Sequence, residues 1–161
     1  MKNTLKNALV IFGYKFLFTL LALVFLYSFA NLLSGQTGQR IYSAVISLMY
    51  LAAVYSYIWK TGKADSKKGF NLNNAILPVL IAEIPTYIIT IVKMAVQNEI
   101  VTVIYRIYQF IYVGFLTDWA SQILILTPVF VAAILGYILG FKKFEIYDRI
   151  IMRIVYKVKS K

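Results

Sequence analysis

The chain has 161 residues, of which 61% are hydrophobic and 14% are charged. Soluble globular domains are nearer half apolar and a quarter charged, so this composition predicts an integral membrane protein. The sequence contains neither His nor Cys. That excludes disulfides, zinc and iron–sulfur sites built on those residues, and His or Cys nucleophiles. We therefore expect no metal and no cofactor.

The formal net charge is +11. In a soluble protein such a charge would suggest nucleic-acid binding. In a membrane protein it is typical of a basic cytoplasmic face that meets anionic lipid. We therefore expect membrane lipids as partners and no nucleic acid.

A membrane-spanning helix needs about 20 mostly apolar residues. Four stretches approach that length, at residues 16–33, 41–59, 75–92 and 123–141. The glycine-rich segment 34–40 predicts a short turn between the first two. The first stretch could instead be a signal peptide, because Ser28-Phe29-Ala30 resembles a cleavage site, although its apolar run is long for one. We expect one all-α membrane domain over residues 1–161.

Residues 100–116 are apolar enough for a fifth span, but polar side chains interrupt them. Thr102, Arg106 and Gln109 have the spacing of one helical stripe, beside an aromatic face. Such a pattern favours an amphipathic helix that lies at the membrane surface or re-enters the membrane.

The distribution of charge favours four spans over five. With a cytoplasmic N-terminus and four spans, every basic residue except Arg40, Lys93 and Arg106 is cytoplasmic. This count places Lys15 before the first span. A fifth span would move the basic tail, residues 142–161, to the outside. The positive-inside rule thus predicts a multi-pass protein of the cell membrane with both termini cytoplasmic.

Glu83 is the most informative single residue, because it lies near the middle of the third predicted span. An ionised side chain at that depth costs roughly 3 kcal/mol or more, so it must be neutral, paired or facing water. Pro85 cannot donate to the Ile81 carbonyl, and a freed carbonyl beside a carboxyl suits a proton or ion site. Alternatively, Glu83 is a neutral acid bonded to another helix, and Pro85 is a plain kink. Arg106 either pairs with Glu83 or meets water and lipid phosphate at the surface.

Two further patterns indicate contacts rather than chemistry. Ala132, Gly136 and Gly140 follow at four-residue spacing, which lets another helix approach closely, from this chain, a second copy or another protein. The tail alternates basic and apolar residues, which predicts an amphipathic helix on the cytoplasmic leaflet or a docking site for a partner. Its candidate lipid-headgroup ligands are Lys142, Lys143, Arg149, Arg153 and Lys157.

Three functional classes remain after this reading. The patterns favour a non-enzymatic accessory or scaffold subunit of a membrane complex. The alternative is a homo-oligomeric channel or proton-coupled transporter, with candidate site residues Glu83, Pro85, Thr102, Arg106 and Gln109. We do not expect an enzyme, since no His, Cys or second nearby acid accompanies Glu83.

A resemblance supports the membrane assignment. It lies in Glu83-Ile-Pro85, Tyr105-Arg106, and Pro128 followed by Gly136-Tyr-Ile-Leu-Gly140 and a basic tail. Over residues 75–145 the sequence resembles small membrane proteins of low-GC Gram-positive bacteria. The resemblance implies a bacterial cytoplasmic membrane and no particular activity.

Overall fold

The computed structural model describes residues 2–28, 35–96, 98–115 and 127–144, and this part of the chain is helical without any strand. The all-α class is therefore confirmed. In chain order the elements are α1 (Lys2–Ser28), α2 (Gln36–Asp65), α3 (Asn73–Ala95), α4 (Glu99–Tyr108), a 3₁₀ helix (Phe110–Phe115) and α5 (Thr127–Phe141).

Three of these helices, α1, α2 and α3, are long and apolar enough to cross a membrane. Helix α5 is equally apolar but has only 15 residues. The fourth predicted span, at residues 123–141, begins before the described part of α5. The structure is thus compatible with a multi-pass membrane protein and supplies three candidate spans.

Several predicted boundaries differ from the structure. Helix α1 begins well before residue 16, because Lys15 is a helical residue rather than part of a polar leader. Helix α2 begins at Gln36, inside the turn predicted at residues 34–40. Gly35, just before it, has a φ of 105°, a conformation that glycine adopts at little cost. Residues 29–34 lie outside the described residues.

Four helices pack in a ring, in the order α1, α2, α5, α3 and back to α1. Each helix has one row of side chains that faces the interior of the bundle. The residues of such a row are three or four positions apart, the spacing that places side chains on one face of a helix. The row of α2 comprises Ile46, Tyr50, Val54 and Ile58, all buried. Apolar side chains such as these form most of the interior of the bundle, together with a few buried polar side chains.

Helices α2 and α5 run in the same direction. Thr127, at the start of α5, lines an apolar groove with Leu48 of α2. Near the other end, Gly140 faces the backbone of Trp59, and the Trp59 indole donates to the carbonyl of Phe144 at 3.1 Å. The end of α5 therefore lies at the same end of the bundle as the α2–α3 loop, residues 66–72.

The segment predicted as one helix at residues 100–116 is two helices joined at Gln109. Asn98 caps α4, because its side chain accepts a hydrogen bond from the Ile100 N–H at 2.8 Å. The 3₁₀ helix docks on α2, where the Gly114 N–H donates to the Ser43 hydroxyl at 2.8 Å. This segment is thus anchored at the N-terminal end of α2, opposite the α2–α3 loop.

Candidate functional site

A buried ion pair joins α1 and α3 inside the bundle. The Lys15 ammonium lies 2.5 Å from Oε2 of Glu83, and the two side chains are only 3% and 1% exposed. Each residue lies near the middle of its helix. The charges therefore meet far from both ends of the bundle, where water cannot solvate them.

Hydroxyl groups complete the bonding of this pair. Thr86 donates to Oε2 of Glu83 at 2.6 Å and accepts from the Lys15 ammonium at 2.5 Å. Tyr50 of α2 donates to Oε1 of Glu83 at 3.2 Å. Both carboxylate oxygens are therefore hydrogen-bonded, which is the condition under which a buried ion pair repays its desolvation. These hydrogen bonds link α1, α2 and α3 at one depth inside the bundle.

Tyr108 borders the ion pair, in a segment that holds several buried polar atoms without hydrogen bonds to the described residues. The Tyr108 ring of α4 lies 5.1 Å from the Lys15 ammonium, at cation–π distance. The hydroxyls of Tyr105 and Tyr108 and both amide atoms of Gln109 are buried without a hydrogen bond to the described residues. Such unsatisfied buried groups are uncommon and often mark a polar ligand or a functional site. Of these residues, Tyr108 lies beside the ion pair, whereas the Tyr105 ring lies 4.4 Å from the Lys93 ammonium.

The structure separates the three polar residues that the sequence placed on one stripe. Gln109 is buried, Arg106 is exposed, and Thr102 bonds to the carbonyl of Asn98 at 3.0 Å. Helix α4 ends at Tyr108, so Gln109 does not continue its helical rotation. The partner of Glu83 is Lys15, and Arg106 is exposed on the outside of the bundle.

Lys15 was not among the residues that the sequence singled out. It was counted as a cytoplasmic charge ahead of the first span. Its position relative to the apolar residues of α1 could have identified Lys15. Lys15 has helical spacing from Ile11, Phe18 and Ala22, which are all buried on the same face of α1. A lysine on an apolar helical stripe requires a buried partner or a short path to water.

Pro85 lies inside α3 without ending it. Its side chain lines an apolar cleft with Leu9 and Phe12 of α1, and this cleft contains no charged side chain. Pro85 therefore shapes the contact between α1 and α3 and stands apart from the hydrogen bonds of Glu83.

The small residues of α5 pack against α2 within this chain. A Cβ at Gly136 would lie 2.7 Å from the carbonyl oxygen of Tyr55, and one at Gly140 would overlap the carbonyl of Trp59. From the other side, Gly62 of α2 faces the backbone of Tyr137. Ala132 lines the apolar groove between the two helices. Of the partners considered from sequence, the glycine face meets a span of the same chain.

The tail is mostly outside the described residues. Lys142 and Lys143 follow α5 and are exposed, whereas the lipid ligands predicted at Arg149, Arg153 and Lys157 lie outside the described part of the chain. Among the residues that were described, no three acidic side chains come together as a metal site.

Comparisons of this chain with protein-family models, with curated proteins and with solved structures gave no significant match.

Proposed function

We propose that the chain is a four-span protein of the cell membrane with both termini in the cytoplasm. Helix α5 and the residues before it would make the fourth span. The directions of the helices support this topology. Helices α2 and α5 are parallel, so the basic residues after α5 emerge beside those of the α2–α3 loop. Basic residues on one side of the bundle are typical of a cytoplasmic face.

The segment of α4 and the 3₁₀ helix would then dip into the membrane from the outer side. The Tyr108 ring supports this, because it reaches Lys15 in the middle of the bundle. A helix lying flat at the surface could not place a side chain at that depth. We therefore favour re-entry over a purely interfacial position.

The topology can be tested with single cysteines, because the natural chain has none. A membrane-impermeant maleimide applied to intact cells should label Glu99→Cys and spare Ser66→Cys and Ser160→Cys. A permeant maleimide should label all three. Labelling of Ser160→Cys from outside, with Ser66→Cys protected, would mean an external tail and an odd number of spans, three or five, and would contradict the four-span topology.

Within this topology we propose that the protein is a non-enzymatic accessory or scaffold subunit of a membrane complex. The observation that supports this is the bonding of Glu83. Both of its carboxylate oxygens are occupied by Lys15, Thr86 and Tyr50. Glu83, the acid that the sequence marked as needing compensation, therefore acts as a cross-link between helices.

The accessory role predicts a specific membrane-protein partner. Gentle detergent extraction of the tagged protein from its native membrane should yield one foreign protein in stoichiometric amount, identified by mass spectrometry. Truncation after Phe144 keeps the described bundle and should release that partner if the tail holds it. Circular dichroism of the truncated protein is the control for folding. A pure homo-oligomer from the wild type would contradict the accessory role.

A homo-oligomeric, proton-coupled transporter is the second candidate. The Tyr108 ring beside the Lys15 ammonium, and the neighbouring Gln109 amide that is buried without a hydrogen bond to the described residues, favour it. It predicts proton-coupled flux in liposomes that Glu83→Gln abolishes. Because that variant leaves Lys15 unpaired, the double variant Lys15→Met with Glu83→Leu should be measured in parallel. Flux that survives in a folded double variant, or no flux in the wild type, rules this candidate out.

A further inference from the structure

A polar cavity opens at the end of the bundle that carries the α2–α3 loop. It has a volume of about 620 Å³ and lies where α1 begins, α2 ends and α3 begins. Its walls come from all three helices and the loop. Its lining includes Lys6, Asn7, Tyr57, Lys60, Asp65 and Lys68.

The charges around this cavity are mostly positive. Lys6, Lys60 and Lys68 line it from α1, α2 and the loop, against the single carboxylate of Asp65. Asp65 is already engaged, because one of its oxygens accepts from the Asn74 amide at 2.7 Å and from the Tyr137 hydroxyl at 3.2 Å. The lysines therefore leave an excess of positive charge for an anion.

The cavity also offers neutral donors. The Tyr57 hydroxyl donates to Oδ1 of Asn7 at 2.8 Å. This bond fixes which side of the Asn7 amide is the acceptor, so its NH₂ group is directed elsewhere and can donate. The edge-on contact between the Tyr14 and Tyr57 rings, 6.1 Å apart, holds the tyrosine in place. Ammonium groups together with an oriented amide suit the oxygens of a phosphate.

The depth of the cavity identifies the source of that phosphate. Three candidate spans have an end at this cavity, α1 at Asn3, α2 at Asp65 and α3 at Asn73. Because polar residues such as Lys60 continue α2 beyond its apolar part, we place the cavity at the boundary between hydrocarbon and water. Basic pockets between spanning helices on the cytoplasmic side bind the headgroups of anionic lipids. We propose that this cavity binds the phosphate of an anionic phospholipid. The inference rests on the proposed membrane topology and is independent of the accessory role.

Two double variants with equal changes of charge test the site. Lys60→Gln with Lys68→Gln removes two cavity lysines. Lys63→Gln with Lys67→Gln removes two lysines from the same segment that do not line the cavity. Lipid binding is measured by native mass spectrometry of the purified protein with phosphatidylglycerol, and with phosphatidylcholine as the zwitterionic reference. Thermal melting confirms that both variants remain folded.

We expect phosphatidylglycerol binding to fall by about tenfold or more in the cavity variant, and far less in the control variant. Lys6→Gln should weaken binding independently from α1. Inorganic phosphate and glycerol phosphate distinguish the source: if they bind as tightly as the lipid, the site takes a free phosphate. Equal losses in both double variants, or no preference for phosphatidylglycerol in the wild type, overturn the site. Because no partner protein is present, failure of the accessory role does not affect this result.

Discussion

Replacing Glu83 by leucine is expected to lower the free energy of unfolding by about 3–5 kcal/mol, because it leaves the Lys15 ammonium buried without its counter-ion. Lys15→Met should cost a comparable amount, since the Glu83 carboxylate would then keep only its hydroxyl partners. Each measurement is a denaturant titration of the purified protein in detergent. Unfolding is followed by the circular dichroism signal of the helices, and the free energy of unfolding of each variant is compared with that of the wild type.

The double variant Lys15→Met with Glu83→Leu is expected to recover most of that loss. Removing both charges also removes the cost of desolvating them, and well-packed apolar replacements of buried ion pairs are often neutral or stabilising. The two substitutions should therefore be strongly non-additive. If the double variant is as unstable as the sum of the single variants, the two side chains do not act as a pair.

The double variant Lys15→Met with Glu83→Leu also distinguishes the two proposed functions. An accessory subunit needs the bundle and not the charges, so the stable double variant should retain its partner. A proton-coupled transporter needs the titratable groups, so the same variant should fold and lose all flux. The same double variant therefore tests both proposals, by partner capture from the native membrane and by flux in liposomes.

Replacing Gly140 by leucine is expected to separate α5 from α2. Even a single Cβ at this position would overlap the backbone of Trp59, which is not a flexible side-chain end that can move aside. Overpacking of a tight interface typically costs about 1–3 kcal/mol, and more where backbones are in contact. We expect α5 to detach, with a lower melting temperature and a changed emission of the Trp59 indole, which bonds to Phe144.

Gly13→Ala is the matched control for this prediction. Gly13 also lies inside a long helix, but no atom lies within 4 Å of a Cβ built there. Alanine is the better helix former by up to about 1 kcal/mol, so this variant should be neutral or slightly stabilised. A comparable loss of stability from both variants would show that the contact between the backbones of α5 and α2 does not determine the effect, because helix propensity favours both substitutions.

The helical class and the candidate spans were accessible from sequence because hydropathy is a local property. The predicted spans at residues 41–59 and 75–92 lie within α2 and α3, and the structure extends both. The ends were less accurate, since polar residues such as Lys60 and Lys63 continue α2 beyond its apolar part. The fourth span stays a prediction, because its first residues are outside the described part of the chain.

The sequence by itself determined that Glu83 requires compensation, because a carboxylate among apolar residues is costly wherever the chain folds. It could not determine the partner. Lys15 is 68 positions away in the chain, and only the packing of α1 against α3 brings the two side chains together. In the same way, the spacing of Gly136 and Gly140 determined that a helix could approach closely. The tertiary structure decided that the helix is α2, because Gly62 provides the complementary flat surface. Composition and spacing are properties of a single helix, and they determine which of its faces needs a partner. The identity of that partner depends on which helices the fold places side by side.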